Sequence, residues 1–339
     1  MHNQSTQVTE HLNSLDGLRG VAALFVLVAH VCNQTGLLPT IIGANSAQVG
    51  VQIFFALSGF LMGRLYLPRE PSFAAVASYA VRRIARVVPM YLVVVCASFA
   101  TTQVLGFIYL YAIDRSNLAS HLLFVQATSV LWTVPVEMFF YAVFPLFWLA
   151  FRRSKALGES ALLLAAIASL GGFIALPWET DKLAFFLVGI AVSRFTSLPR
   201  SSILFLTALL LELVLLSPVW ERIGNAPLDI WRSPIHLLAA GAVVIAAVHS
   251  TLAKVLLANP VTRYCGKISY SIYLLHWPVM SNLTTFTDIE LHPVRYLATV
   301  LLITLALSSL TFLLIEAPAR KLISRVAQRG ELAAPPSTA

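Results

Sequence analysis

The sequence predicts an all-α protein, a polytopic transmembrane helix bundle of about ten membrane-spanning helices with both termini cytoplasmic. Three observations carry that expectation. Of 339 residues, 58% are hydrophobic and only 11% charged, against the roughly 45 to 50% apolar content of soluble domains. Apolar stretches of 17 or more residues recur almost end to end, each long enough to cross about 30 Å of hydrocarbon as a helix. The basic residues lie in short clusters between those stretches. Helices are the economical reading, since an open strand in lipid leaves backbone groups unpaired.

The expected spans are 17–37, 47–66, 88–108, 130–150, 160–177, 182–198, 202–220, 234–253, 267–285 and 295–315. The first follows polar residues 1–15, which lack a basic segment, apolar core and cleavage site, so no cleavable signal is read. The second, VQIFFALSGFLMG, holds Ser58 and Gly59, small residues that let a neighbouring helix approach. The third follows SYAVRRIARVVP, the largest basic cluster. Residues 109–129 form the longest extracytoplasmic loop, and the fourth span re-enters through SVLWTVPVEMFFYAVFPLFW. Spans five to eight are almost wholly apolar, and their isolated Glu212, His236 and His249 are read as structural. The ninth is KISYSIYLLHWPVM. After the tenth, residues 326–339, ending in ELAAPPSTA, are expected to be a disordered cytoplasmic tail, leaving 1–325 as one membrane domain. Assigning each Lys and Arg to the nearer membrane face puts 18 on the side of the termini and 5 on the other, which places both termini in the cytoplasm.

The net charge of +8 and pI near 9.6 set topology in this pattern and do not indicate nucleic acid. Cys32, Cys96 and Cys265 show no metal-ligand spacing and are expected as buried free thiols. Neither a metal nor a permanently bound cofactor is expected.

Arg19 and His30 are eleven residues apart, which returns an α-helix to within about 20° of its starting face and separates them by roughly 16 Å in depth. A lone histidine on an apolar face is more often a packing residue, yet ionisable groups inside a membrane tend to mark function. Glu137 enters from the opposite side to a similar depth, and a carboxylate beside an imidazole fixes its tautomer. Ser269, Tyr273 and His276, spaced at four and three, share a face, while Ser269 and Tyr270 also suit hydrogen bonds between helices. Arg82, Arg83 and Arg86 suit phosphate, because guanidinium forks donate paired hydrogen bonds.

Taken together, LDGLRGVAALFVLVAH, FFALSGFL, VRRIARVVPMY, LWTVPVEMFFYAVFP, GKISYSIYLLHWP and IEAPARK, in that order and from end to end, resemble the acyltransferase-3 family of multispanning membrane acyltransferases. The resemblance implies that Arg19 and His30 are the family's arginine and histidine separated by ten residues, Arg83 and Arg86 its cytoplasmic R-x-x-R, and Glu137 its acidic residue after a tryptophan. Gln52 stands where many members have Asp, and Thr133 where Ser is frequent.

The expected activity is O-acyl transfer, acetyl foremost, from cytoplasmic acyl-CoA to a hydroxyl of an extracytoplasmic glycan, glycolipid or small molecule, in a bacterial inner (plasma) membrane. His30 and Glu137 are the expected catalytic pair, Arg19, Arg82, Arg83 and Arg86 the donor-binding group, and Ser58, Trp132, Ser269, Tyr273 and His276 the cavity wall. A transporter or flippase of a glycan precursor is the alternative, but it gives no reason for a basic R-x-x-R at the cytoplasmic mouth.

Overall fold

A computed structural model describes the backbone over residues 2–173, 180–195, 198–285 and 292–333, and side chains within those ranges from 13 to 325. Every regular element in them is helical. The α-helices are α1 His2–Thr35, α2 Ser46–Tyr66, α3 Phe73–Ala100, α4 Leu118–Leu122, α5 Thr133–Arg153, α6 Lys155–Leu170, α7 Leu183–Val192, α8 Ser202–Leu215, α9 Ser217–Arg222, α10 Pro234–His249, α11 Thr251–Leu257, α12 Pro260–Lys267, α13 Ser269–Leu283, α14 Pro293–Thr311 and α15 Ala317–Ala333. Wider π turns extend α3 at Thr101–Leu105 and join α14 to α15 at Phe312–Glu316, and a tight turn at Ser129–Trp132 leads into α5.

A helix falls within each of the ten expected segments, but among the described residues length and composition qualify only five continuous ones to cross a bilayer: 13–35, 46–66, 73–105, 129–153 and 293–325. A sixth is reached if α10 and α11, bent by 89° at Ser250, are one broken span. Among the others, α8 has 14 residues, α13 has 15 and α6 has 16, and at 1.5 Å per residue these reach only about 21 to 24 Å. Local chemistry accounts for the breaks: Gly172, with φ +67, follows the end of α6, and Pro218 opens α9 just after α8 ends. The expected segments 160–177 and 182–198 also run onto positions outside the described residues.

Two boundaries move by several turns. Ser72 caps α3, its hydroxyl accepting from the Ala75 amide at 3.2 Å, so Arg82, Arg83 and Arg86 lie within a long helix and not ahead of it. At the other end the chain stays helical to Ala333, so residues 326–333 of the expected disordered tail are helical, as their Ala, Gln, Arg and Glu content favours; residues 334–339 lie outside the described residues. All three cysteines are free, but Cys96 is exposed while Cys32 and Cys265 are buried, because Cys96 projects from the outer face of α3.

Packing inside a membrane depends on close fit, since lipid tails are as apolar as leucine. Glycines provide that fit here. A Cβ on Gly59 would lie 1.9 Å from the Phe186 carbonyl oxygen, and one on Gly189 would lie 2.0 Å from that of Ala56, so α2 and α7 meet backbone to backbone. Gly17 and Gly266 seal α1 against α11 and α12 in the same way, with a Cβ 1.7 Å from the Leu257 oxygen and 1.9 Å from the Asp16 oxygen.

Candidate active site

A cavity lies between α1, α2, α3, α5 and α13. Its polar wall consists of Arg19, Ser58, Arg86, Thr133, Glu137 and Ser269, and its apolar wall includes Phe54, Tyr270 and Tyr273. Residues far apart in the chain are thus gathered on one hollow, and Arg19, Arg86, Glu137, Ser58, Ser269 and Tyr273 from the sequence-based set are among them. Each helix contributes through its own period: Ser269 and Tyr273 are four residues apart on α13 and face inward together.

Arg19 is 6% exposed and pairs with Asp16 one turn earlier at 3.0 Å. Arg86 is the strongest like charge acting on it. Arg83, one turn before Arg86, rests over the Tyr141 ring with its guanidinium carbon 5.8 Å from the centroid, and its Nε is buried without a hydrogen-bond partner. Glu137 accepts a short hydrogen bond from the Tyr141 hydroxyl, four residues on, and a second at 3.3 Å from Ser58. Carboxylate, phenol and guanidinium are therefore layered across α5 and α3.

His30 has a different partner from the one expected. Its Nδ1 lies 3.3 Å from Nε2 of His276, the rings stack with centroids 5.2 Å apart, and Trp277 packs edge-on against His30 at 5.5 Å. The His276 Nδ1 sits 2.7 Å from the Tyr273 carbonyl oxygen and 3.2 Å from that of Ile272. A carbonyl can only accept, so Nδ1 of His276 carries the hydrogen. In a neutral ring its Nε2 is then an acceptor, the His30 Nδ1 donates to it, and the lone pair of His30 is left on Nε2. Fixing the tautomer of one imidazole through its other nitrogen is how a general base is prepared.

Four sequence-based assignments change. Glu137 does not orient His30, because its hydrogen bonds go to Tyr141 and Ser58; His276 holds that position. His276 is not a wall residue either, since Tyr273, its ring 5.7 Å away, stands on the cavity side. Trp132 is set behind Phe55, with ring centroids 6.1 Å apart, and meets Trp231 edge to face beside the Lys182 ammonium. Arg82 is exposed and turns back to Ser78, donating at 2.6 Å, toward a separate pocket beside Tyr66 and Trp148. Tyr270 lines the cavity while its hydroxyl donates to the Val87 oxygen at 3.0 Å, joining α13 to α3. Gln52 is fully buried and donates to the Ile230 oxygen at 2.8 Å.

Two further residues were legible only as part of a motif. Glu316, 2% exposed, accepts from Ser271 and pairs with Arg320 at 2.7 Å. Arg320 is within electrostatic reach of Arg83 and Arg86, and its Nε is also buried without a partner. The acid-to-base spacing of four in IEAPAR was the available signal. Among the described residues no group of three potential metal ligands is found.

The acyltransferase-3 model, described as an acyltransferase domain, matches residues 12–314. The chain is 28% identical over 94% of its length to nodulation protein 10 of Rhizobium leguminosarum, of which it covers 96%. It is 25% identical over 92% of its length to the peptidoglycan O-acetyltransferase OatA of Listeria monocytogenes, and 21% identical over 92% to the O-acetyltransferase OatA of Staphylococcus aureus. It spans 56% and 57% of those two relatives. No solved structure matches it significantly.

Proposed function

The chain belongs to the acyltransferase-3 family of integral membrane acyltransferases, and on that premise we propose that it carries an acyl group, acetyl foremost, from cytoplasmic acyl-CoA to a hydroxyl of an extracytoplasmic glycan or glycolipid. The observation that supports this reading most directly is the cavity that runs from arginines to within one aromatic layer of the histidine pair. Four guanidiniums, of Arg19, Arg83, Arg86 and Arg320, converge with fewer carboxylates than charges, and two buried Nε groups among them lack partners. Such a cluster suits a polyphosphate. Arg82, facing a neighbouring pocket, takes no part in it.

An extended pantetheine arm, at about 3.5 Å per peptide-like unit, covers roughly 15 to 20 Å, the axial distance between Arg19 and His30. The donor therefore needs no passage across the bilayer. At the far end the acceptor hydroxyl gives its proton to Nε2 of His30 as its oxygen forms a bond to the thioester carbonyl carbon. The carbon–sulfur bond then breaks, and the leaving thiolate takes the proton back from His30. His276 holds the imidazole through Nδ1, sharing the transient positive charge, and is a positioning residue. Glu137, in the cavity between Ser58 and Tyr141, faces the donor arm.

The glycan acceptor is supported by the name of the Listeria relative, which acts on peptidoglycan. The location proposed is a bacterial inner membrane. Transfer of radiolabelled acetyl from acetyl-CoA to extracytoplasmic glycan in membrane vesicles tests the scheme. Label should reach glycan with the wild type and fail with His30→Ala. Normal transfer by His30→Ala refutes the mechanism, and a wild type that neither binds nor consumes acyl-CoA returns the protein to the transporter class.

A further inference from the structure

Glu212 is a buried acid with no place in the scheme above. It lies on α8, is 6% exposed, and neither carboxyl oxygen has a hydrogen-bond partner. Glu212 lines a pocket between α1, α2, α8 and α10, whose other lining is apolar and includes Ala22, Phe25, Ile53, Leu213 and Val243. On α2 this pocket meets Val49, Gly50 and Ile53, whereas the candidate active site meets Val51, Phe54, Phe55 and Ser58. At 100° per residue those sets point roughly 140° apart, so one helix separates two distinct hollows. The second opens to the lipid side, where Val21, Leu209 and Leu213 are 39 to 45% exposed.

A buried polar group without a partner is destabilising, and an intramembrane carboxyl is seldom retained without a use. We propose that this pocket is a second ligand site, filled from the bilayer by an apolar molecule bearing one hydroxyl, such as a lipid alcohol, with the hydroxyl bound to Glu212. The shape follows from the lining, in which every residue but Glu212 is apolar. The hydroxyl follows from the chemistry of that carboxyl. A carboxylic acid presents one donor and one acceptor, and an alcohol matches both without introducing charge. An ammonium would require a bare ion pair with no other polar group to solvate it, and desolvating two charges is the more costly arrangement. An alkyl chain alone would leave both oxygens as they are.

The test uses the full chain in phosphatidylcholine nanodiscs, with a photoactivatable diazirine-bearing hexadecanol as probe and its methyl ether as control. Peptides from α8 and α1 around Glu212 and Phe25 should be labelled several-fold more by the alcohol than by the ether. Glu212→Leu should remove that preference, and Glu212→Gln, which keeps a donor and an acceptor, should retain much of it. Equal labelling by alcohol and ether, or an unchanged preference in Glu212→Leu, shows that the pocket takes only hydrocarbon and overturns the assignment. Because the readout is labelling and not acetyl transfer, the result stands apart from the fate of the histidine mechanism.

Discussion

The stacked pair of imidazoles separates two effects that substitution would otherwise confound. If His276 positions His30 and does not touch the donor, His276→Ala lowers kcat for acetyl transfer by about a hundredfold or more while leaving the KM for acetyl-CoA nearly unchanged. Arg86→Ala does the reverse: losing a charge-assisted contact of about 1.5 to 3 kcal/mol raises the donor KM by roughly 10- to 150-fold, with Arg86→Lys recovering part of it. Steady-state kinetics on vesicles of known enzyme content distinguish them, and a KM effect from His276→Ala refutes the positioning role. Sequence spacing put Arg19, Ser269 and Tyr273 on inward faces, because a helix period relates near neighbours on one helix. It could not reveal that His276 meets His30 across helices, nor that Tyr141 and Ser58 claim Glu137. Those pairings depend on how α1, α2, α5 and α13 are rotated against one another.

Among elements, the seam between α2 and α7 is the sharpest dependence on a missing side chain. Gly59→Leu and Gly189→Leu force a Cβ to within about 2 Å of a carbonyl oxygen, and the helices must separate. Overpacking of this kind costs about 1 to 3 kcal/mol or more. Thermal unfolding in detergent should show a lowered Tm for both variants; an unchanged Tm means the seam is less tight than it stands here. Gly59 was readable in the sequence as a point of close approach, but Gly189, inside the apolar run LAFFLVGIAV, carries no local mark that tells a packing glycine from an incidental one. Helix ends were the least readable feature. Hydropathy falls at Arg82 and Arg86, yet the backbone continues through them from its cap at Ser72, since hydrogen bonding along a helix does not stop where solvent changes.

For the whole molecule, the basic residues set an orientation that fusion reporters can check. Fluorescent reporters fused after Arg69, Arg153 and Ala339 should fluoresce on the cytoplasmic side, and a periplasm-active reporter after Arg115 should be active. Cytoplasmic fluorescence after Arg115 contradicts the assignment. The helical class and the bundle were legible because apolar content and its interruption by charge are properties of composition. The number of crossings was not, since α7, α10 and α13 are buried among other helices, where a short or broken helix is tolerated.

Backbone contact between α2 and α7 predicts that one side of the chamber is a fixed jamb and that any door lies elsewhere. Those two helices cannot part without losing their fit, so the proposed donor is expected to enter by the opposite wall. There α3 and α13 each carry an internal proline, Pro89 and Pro278, at which a helix bends because one backbone hydrogen bond is missing. Spin labels placed across α2 and α7 should keep one distance when acetyl-CoA is added, and labels across α3 and α13 should shift. A shift in the first pair would mean that the jamb itself is the hinge.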